Sequence, residues 1–263
     1  MSKLVYGRRR LLGIGTAGLS SLVLAGCNQF DFLGERDDRV RAFLAQANDV
    51  TYRAQRLLMR QGALAREYSE TEIRQGQRPN GSTDPQSADY LALKANDFVD
   101  YRLAVTGLVE HPRNYSLAEL RNMPSRTQIT RHDCVEGWSC IAKWTGTPLS
   151  IVLDEARLKP AVRYLVFHCY DSLDEGPSGP IRYYETCDLI DARHPQTILA
   201  YGLNNRPLPV ANGAPLRVRI ERALGYKQPK YVHTIEAVDS FARFGRGKGG
   251  FWEDEGYDWY AGI

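Results

Sequence analysis

Cys134 lies in the stretch of the sequence with the densest set of chemically useful residues. Arg131, His132 and Asp133 come directly before it, and the pattern predicts a strand that ends at the cysteine and a turn after it. Positive charge beside a cysteine favours the thiolate, which is the form that binds a soft metal or attacks as a nucleophile. Residue types alone leave three interpretations open: a buried structural cysteine, a nucleophile assisted by histidine, and a thiolate that holds a metal.

The N-terminal residues are typical of an export signal. Arginines at positions 8 and 9 followed by two leucines fit the twin-arginine pattern, and residues 24–27 fit a lipobox in which Cys27 is acylated. The apolar run at 11–24 is too short for a membrane span, which needs about 20 apolar residues. We therefore expect residues 1–26 to be removed and Cys27 to anchor the chain in a membrane, on the periplasmic side of a bacterial cell envelope. The alternative is an ordinary basic secretory signal with a chance cysteine.

The export route and the composition limit the class of protein. Twin-arginine export moves folded proteins, which commonly acquire a complex cofactor in the cytoplasm, so a cofactor is expected. The composition, with 43% hydrophobic and 25% charged residues, is that of a globular protein and argues against a disordered or multi-pass membrane chain. A net charge of +3, without a basic run interleaved with aromatics, gives no support for a nucleic-acid partner.

The cysteines after the lipobox are Cys134, Cys140, Cys169 and Cys187. An even number would normally form disulfides in an oxidising compartment, but folding in the reducing cytoplasm before export disfavours them. The sequence has no C-x-x-C pair and no histidine spacing typical of zinc ligands, so a zinc site is not expected. Cys140 and Cys187 are predicted to be core residues.

The order of polar and apolar residues predicts a β-rich α+β domain preceded by an amphipathic helix. The helix covers 37–60, and its apolar stripe is expected to pack on its own domain rather than on a partner or a membrane. A polar loop rich in turn formers follows at 74–85. After residue 98 the pattern changes to short strands with a few short helices. The predicted strands include 99–105, 163–167 and 216–220, and the predicted helices are 116–119 and 148–156.

The chain is expected to divide into three regions. Residues 1–26 are the leader, 27–97 carry the anchor, the helix and the loop, and 98–263 form the main domain. The glycine-rich and aromatic end at 245–263 is expected to lie over the core, because five aromatic side chains in water would form an unfavourable apolar patch. A place in the wall of a substrate pocket is the alternative.

Two blocks of sequence, in the same order along the chain, match a known family. The first block reads RHDCVEGWS at 131–139 and KWTGTPL at 143–149. The second reads HPQTILA at 194–200, LPVANGAPLR at 208–217 and GYKQPK at 225–230. Together they resemble the sulfite-oxidase-fold molybdopterin oxidoreductases, and in particular their periplasmic methionine sulfoxide reductase branch. This resemblance implies a mixed, β-rich sulfite-oxidase-type domain and a molybdopterin with one molybdenum as the cofactor.

The resemblance also implies roles for individual residues. Cys134 matches the cysteine whose thiolate binds the molybdenum, and it is the predicted catalytic residue. Asn80 matches an asparagine in a loop that contacts the pterin, although Thr83 and Asp84 depart from the family there. Cys169 stands where the family has a cofactor-facing threonine. The remaining matches are Asn212 and Arg217, which hold the pterin, and Gln228, Pro229 and Lys230, which contact its phosphate end.

The residues after Cys134 bear on the reaction, which in this family is two-electron oxygen-atom transfer. Sulfite oxidases place arginines there, whereas this chain has Val135, Glu136, Gly137 and Trp138. A carboxylate would repel sulfite, and Trp138 would offer an apolar wall to a neutral sulfoxide. The prediction is therefore reduction of methionine sulfoxide in envelope proteins, or of a related S-oxide.

Two alternative functions remain open. Oxidation of sulfite or another small oxyanion would need positive charge, which Arg131 could supply. A lipoprotein that keeps the fold but holds no metal would instead be a binding module, because a fold does not fix a function. For the reductase, the resemblance implies a membrane haem-containing subunit as the electron donor.

Overall fold

Two five-stranded sheets form the framework of the chain. The computed structural model describes residues 39–74, 76–177 and 179–263, with side chains from residue 46 onward. The predicted leader and the lipidation site Cys27 lie outside the described residues. Sheet 1 has the order β2-β1-β10-β5-β6, and sheet 2 has the order β3-β4-β7-β8, with β9 paired to β7. The described β1 and β10 run parallel, and the other pairings are antiparallel.

The strands and helices of the described residues have the following bounds. The strands are β1 (Arg102–Gly107), β2 (Arg113–Ser116), β3 (Arg126–Cys134), β4 (Trp138–Pro148), β5 (Tyr164–Gly176), β6 (Gly179–Asp188), β7 (Ile198–Leu203), β8 (Arg206–Pro207), β9 (Arg217–Arg219) and β10 (Val232–Val238). The α-helices are α1 (Arg39–Leu58), α2 (Ala88–Ala95), α3 (Leu117–Asn122), α4 (Leu149–Ala156), α5 (Leu189–Ala192) and α6 (Phe251–Asp254). Short 3-10 turns lie at Glu70–Glu72, Val210–Asn212 and Gly225–Lys227. The predicted α+β class is confirmed.

Local sequence signals account for several of these boundaries. The predicted capping box at the start of α3 is confirmed, because the Glu119 backbone N–H donates to the Ser116 hydroxyl (3.1 Å) and the Ser116 N–H donates to the Glu119 carboxylate (2.8 Å). The predicted strand at 163–167 lies within the longer β5. The strand predicted at 99–105 begins only at Arg102, because Asp97 and Phe98 take left-handed backbone conformations that end the preceding segment in a turn.

The core joins the two sheets through the inward residues of their strands. Leu103 and Val105 of β1 are buried while their neighbours are not, as expected for a strand with one face in the core. The main cluster adds residues of β5, β9, β10, α3 and α4. Cys140 and Cys187 are buried, as predicted.

The predicted orientation of the first helix is wrong at its C-terminal end. There the polar side of α1 faces the domain: Arg56 binds Asp188 (2.9 Å) and Asp191 (2.6 Å), and the Tyr52 hydroxyl donates to Asp188 (2.9 Å). Leu57 and Leu58, from the predicted apolar stripe, are 84% and 82% exposed. The half-buried ion pairs of Arg56 orient this end more strongly than its apolar residues do. None of the helices in the described part of the chain has the length and apolarity that crossing a bilayer requires.

A buried ion pair stabilises β9 behind the β3-β4 hairpin. Arg219 and Glu221 are fully buried and form a two-point contact, with nitrogen–oxygen distances of 3.0 and 2.6 Å. Arg219 also contacts His132 Nδ1 (2.8 Å), and Glu221 accepts a hydrogen bond from Gln128 (2.8 Å). The guanidinium of Arg219 lies 4.4 Å from the ring centre of Trp144. The pair therefore connects β9 to both strands of the hairpin.

Removing Glu221 should destabilise the whole domain. In Glu221→Leu the Arg219 guanidinium would stay buried without its carboxylate, and a loss of about 3–5 kcal/mol in the free energy of unfolding is expected. Chemical denaturation followed by circular dichroism measures this loss. As a control, Asp154→Ala removes the exposed partner of Arg193 and should change stability little. A Glu221→Leu protein as stable as this control would contradict the prediction.

Candidate active site around Cys134

The β3-β4 hairpin holds Cys134 at the edge of its turn. β3 ends at Cys134 and β4 begins at Trp138, and these two residues pair across the hairpin. Gly137 closes the turn with φ of +82°, a conformation that favours glycine, and its N–H donates to the Cys134 carbonyl (3.0 Å). The predicted arrangement of a strand that ends at the cysteine and a turn that follows is confirmed.

Cys134 opens into a solvent-accessible pocket of about 640 Å³. The pocket brings together four of the sequence-predicted site residues, namely Asn80, Cys134, Gln228 and Lys230. It also contains residues that the sequence did not predict to bind the cofactor. These are Gly81, Ser82, Asp171, Leu173, Tyr183, Gly225, Tyr226, Trp252 and Tyr257, together with Val135 and Glu136 of the hairpin turn.

The other predicted site residues lie behind the pocket wall. Asn212 and Arg217 are buried and joined by a hydrogen bond from the Arg217 guanidinium to the Asn212 carbonyl (3.0 Å). Pro229 is buried, and its carbonyl accepts from the Val218 N–H (2.9 Å), which ties the 228–230 loop to β9. Cys169 is fully buried on β5 opposite Val232 and does not line the pocket.

The surroundings of Cys134 do not favour a free thiolate. Burial, together with the charge of Glu136, raises the pKa of the Cys134 thiol. Arg131 is held by Asp133 (2.9 Å) on the exposed side of β3. Burial, together with the charges of Arg219 and Arg217, lowers the pKa of His132 well below its usual range, so its imidazole is neutral. The expectation that Arg131 and His132 activate the thiolate is therefore wrong. The charge of Arg131 is neutralised by Asp133, and the imidazole of His132 carries no charge.

A cation bound directly to sulfur would supply the missing charge, since a metal deprotonates a coordinating thiol. Within the described residues, no three His, Cys, Asp or Glu side chains converge to hold a metal ion. A metal at Cys134 would therefore have to take further ligands from a bound group. This arrangement suits a soft metal carried by a sulfur-containing cofactor.

Two buried cations lie next to the pocket with hydrogen bonds only to backbone carbonyls. Arg217 donates to the carbonyls of Asn212 (3.0 Å) and Gln228 (3.2 Å). Lys230 donates to the carbonyls of Ala211 (3.0 Å) and Ser82. Burial, helped by the charge of Arg219, lowers the pKa of Arg217 to about 9. Burial, helped by the charge of Arg217, lowers the pKa of Lys230 to about 7.

Further polar atoms at this end have no partner within the described residues. They are the Arg217 Nε and the Asn212 Nδ2, which are donors, and one carboxylate oxygen of Asp171, Oδ1, which is an acceptor; all three are buried. Buried polar atoms are normally hydrogen-bonded, so two unpaired donors beside two cations suit a polar, anionic ligand. A phosphate-bearing cofactor with a metal at Cys134 fits these donors.

Asp171 is the acidic residue of this polar end, and only the folded chain shows its place there. The Ser82 hydroxyl donates to one carboxylate oxygen of Asp171 (2.9 Å), and burial raises the pKa of the Asp171 carboxyl to about 6. Ser82 belongs to the 74–85 loop, whereas Asp171 lies on β5. No local signal in the sequence links these two segments.

Aromatic side chains form another part of the pocket wall. Trp252 and Tyr257 stack with ring centres 5.3 Å apart and planes 21° apart, and Tyr226 meets Tyr257 edge to face at 5.3 Å. Trp252 and Tyr257 belong to the segment that was expected to cover the core. Phe251 is buried in the core as expected, but these two residues take the alternative place in a pocket wall. Trp138, the predicted apolar wall, instead contacts Glu136 (2.8 Å) and Arg78 and does not line the pocket.

Comparisons with known proteins identify the family of this chain. The family model described as the oxidoreductase molybdopterin binding domain matches residues 90–243. A protein of Azospira oryzae, provisionally named as a protein-methionine-sulfoxide reductase subunit, is 37% identical over 63% of this chain and 57% of its own length. The protein-methionine-sulfoxide reductase catalytic subunit of Ralstonia nicotianae is 34% identical over 53% of this chain and 44% of its own length. The chain thus spans about half the length of these curated relatives.

The chain is also similar to a part of a solved structure. That structure is the sulfane dehydrogenase SoxCD from Paracoccus pantotrophus, with a TM-score of 0.47 and 23% sequence identity, over 54% of this chain and 39% of that chain.

Anion binding by the cofactor-free protein should weaken as the pH rises. Lys230 loses its proton near pH 7 and Asp171 becomes ionised near pH 6, so both changes make the polar end less positive between about pH 5.5 and 8.5, while Arg217 stays mostly charged. Sulfate keeps a constant charge over this range and is the suitable probe. Titration calorimetry should show a several-fold loss of affinity across it.

The Lys230→Met variant separates the contribution of Lys230 to the pH dependence from that of Asp171. It should bind sulfate weakly and lose the part of the pH dependence centred near pH 7, whereas Asp171→Asn should keep that part. Sulfate affinity that is constant or rises with pH in the unaltered protein would contradict the assignment.

Proposed function

The chain belongs to the oxidoreductase molybdopterin-binding domain family, and we propose that it reduces methionine sulfoxide in envelope proteins or a related S-oxide. The observation that carries this proposal is the position of Cys134, between a buried cationic end and an aromatic wall of one pocket. When bound there, the molybdopterin supplies two-electron oxygen-atom transfer. In the balanced reaction the sulfoxide takes up two electrons and two protons and yields the thioether and water.

The polar end would hold the cofactor. Cys134 is the proposed metal ligand and catalytic residue, and Arg217 and Lys230 are proposed to bind the phosphate. Arginine matches phosphate with two donors, and lysine acts as a compact point charge, so this pair suits a dianion. The unpaired amide nitrogen of Asn212 would then meet a polar group of the pterin, and Gln228 is proposed to lie at the phosphate end beside Lys230.

Three further residues complete the proposed cofactor site. Asn80 lines the pocket from the 74–85 loop. Pro229 fixes the loop that carries Lys230, because its carbonyl is bound to β9. Cys169 lies buried near the cationic end, where a thiol replaces the family's hydroxyl with a weaker hydrogen-bonding group.

The charges at the pocket mouth favour a neutral substrate. Glu136 lines the pocket and would repel a sulfite dianion, although Arg78 lies 3.7 Å from its carboxylate. Arg131, which could have reversed this charge, is held by Asp133 and does not line the pocket. A sulfoxide carries no net charge and has apolar groups on both sides of sulfur, so it suits the aromatic wall. Reduction of a sulfoxide is therefore preferred to oxidation of sulfite.

The electrons would come from another protein. The relatives include a protein named as a catalytic subunit, and this name supports a proposed membrane partner, which we propose to be haem-containing. The proposed lipid anchor at Cys27 would keep the chain at the periplasmic side of the membrane, near such a donor.

Turnover with an artificial donor tests the proposed reaction and the role of Cys134 together. With a reduced viologen dye, the molybdenum-loaded protein should reduce a peptide that contains methionine sulfoxide. Cys134→Ser should lower kcat/KM by more than about a hundredfold. Mutating a residue that merely hydrogen-bonds to a metal ligand lowers activity by at most about a hundredfold, so a larger loss indicates the ligand itself.

Cys140→Ala provides the matched control, because Cys140 is a buried cysteine of the same hairpin outside the pocket. It should retain most of the activity. Oxidation of sulfite without reduction of the sulfoxide would replace the proposed reaction, and an active Cys134→Ser protein would refute the role of the cysteine.

A further inference from the structure

The aromatic wall of the pocket belongs largely to a segment outside the family match. The match ends at residue 243, whereas Trp252 and Tyr257 lie in residues 244–263, which we call the C-terminal strap. The strap consists of turns and the single helical turn α6. Its contribution to the pocket therefore comes from residues outside the family match.

A buried charged clasp attaches the strap to the pocket. The Lys227 ammonium donates to the carboxylates of both Glu185 on β6 and Glu253 on α6, and all three side chains are buried. Buried charged groups are stable only when they are closely paired. We call these three residues the clasp, and their pairing holds α6 against β6. Because Trp252 directly precedes Glu253, the same contact fixes the indole at the pocket.

The clasp also connects the strap to the proposed cofactor loop. Lys227 ends the 3-10 turn Gly225–Lys227, whose Tyr226 lines the pocket, and Gln228 of the predicted cofactor loop comes next. The Tyr226 hydroxyl donates to the Asp258 carbonyl of the strap (2.6 Å). One short stretch of chain therefore carries an aromatic wall residue, the clasp and a proposed pterin contact.

Additional hydrogen bonds hold the strap along its length. The Tyr184 hydroxyl donates to the Asp254 carboxylate (2.7 Å), and the Trp259 Nε1 donates to the Thr186 hydroxyl (2.8 Å). Both partners lie on β6, so the strap is anchored before and after Tyr257. A segment held at this many points presents its side chains in a fixed position.

The wall nevertheless leaves apolar surface open at the pocket mouth. Tyr257 is 42% exposed, and Val135, on the hairpin turn beside Cys134, is 44% exposed. Trp252 is half-buried and stacked on Tyr257. Apolar side chains that meet at a pocket and remain accessible are typical of a binding surface. Their position at the mouth lets a side chain on the surface of another protein reach the pocket.

We propose that the C-terminal strap is the substrate-specificity wall, in which Trp252 and Tyr257 bind the apolar part of a methionine sulfoxide side chain presented by a polypeptide. The inference rests on the proposed function and names the residues that select its substrate. The methylene chain that joins the sulfoxide group to the peptide backbone is apolar and can pack on aromatic rings, and dimethyl sulfoxide lacks this chain. A small sulfoxide without a peptide has less apolar surface to place on this wall.

The test compares two substrates in strap variants loaded with molybdenum. Trp252→Ala and Tyr257→Ala should each raise KM for a methionine sulfoxide peptide by about tenfold, the change that corresponds to losing the burial of about two methylene groups. The kcat for the peptide and kcat/KM for dimethyl sulfoxide should change less than twofold. Trp252→Phe, which retains an aromatic face, should restore most of the affinity.

Two further readouts distinguish the possible failures. Binding of the oxidised peptide, measured by titration calorimetry, should weaken in the alanine variants in parallel with KM, and their molybdenum content should stay unchanged. Tyr68→Ala, which removes an aromatic side chain outside the pocket, is the control and should leave all these values unchanged. If the unaltered protein turns over neither substrate, the proposed function fails. If the unaltered protein turns over the peptide, two results would refute the specificity wall. The strap variants could have the same KM for the peptide as the unaltered protein, or they could lose activity on the peptide and on dimethyl sulfoxide equally.

Discussion

The desolvation of two cations, Arg217 and Lys230, is the constraint on which the pocket depends. A buried cation must replace the water that it loses, and here backbone carbonyls of Ser82, Ala211, Asn212 and Gln228 do so. These carbonyls come from the 74–85 loop, from the 3-10 turn Val210–Asn212 and from the loop before β10. Each cation therefore draws separate segments of chain together beside Cys134.

The other buried cations show by contrast what Arg217 and Lys230 lack. Arg219 has the carboxylate of Glu221, and Lys227 has those of Glu185 and Glu253. Those groups are neutralised within the protein and serve to fix β9 and the C-terminal strap. Among the described residues, Arg217 and Lys230 hydrogen-bond only to backbone carbonyls, although the Asp171 carboxyl lies near Lys230, and the unpaired Asn212 amide nitrogen lies at the same end of the pocket. This difference supports the proposal that Arg217 and Lys230 bind an anionic group, whereas Arg219 and Lys227 hold parts of the fold together.

The sequence was most informative where function and fold depend on local patterns. The hairpin at Cys134, the capping box of α3 and the convergence of Asn80, Gln228 and Lys230 with the cysteine follow from short motifs. Contacts between residues far apart in the sequence determine the other parts of the pocket. Asp171 and the strap residues reach the pocket from distant parts of the chain, and no local period reveals this.

The orientation of the helix end and the state of the thiol were missed for related reasons. Two carboxylates near β6 attract Arg56, so the polar side of α1 turns inward there. Asp133 neutralises Arg131, and burial keeps His132 uncharged. In both cases a charge that looks free in the sequence is already paired or suppressed in the fold.

The central claim is that Cys134 supplies a thiolate ligand to molybdenum in this pocket. X-ray absorption at the molybdenum edge tests it most directly, on the unaltered protein, on Cys134→Ser and on Cys169→Ser as a control. The claim predicts that the number of sulfur atoms bound to molybdenum falls by one in Cys134→Ser and stays the same in Cys169→Ser. An unchanged sulfur number in Cys134→Ser would contradict it.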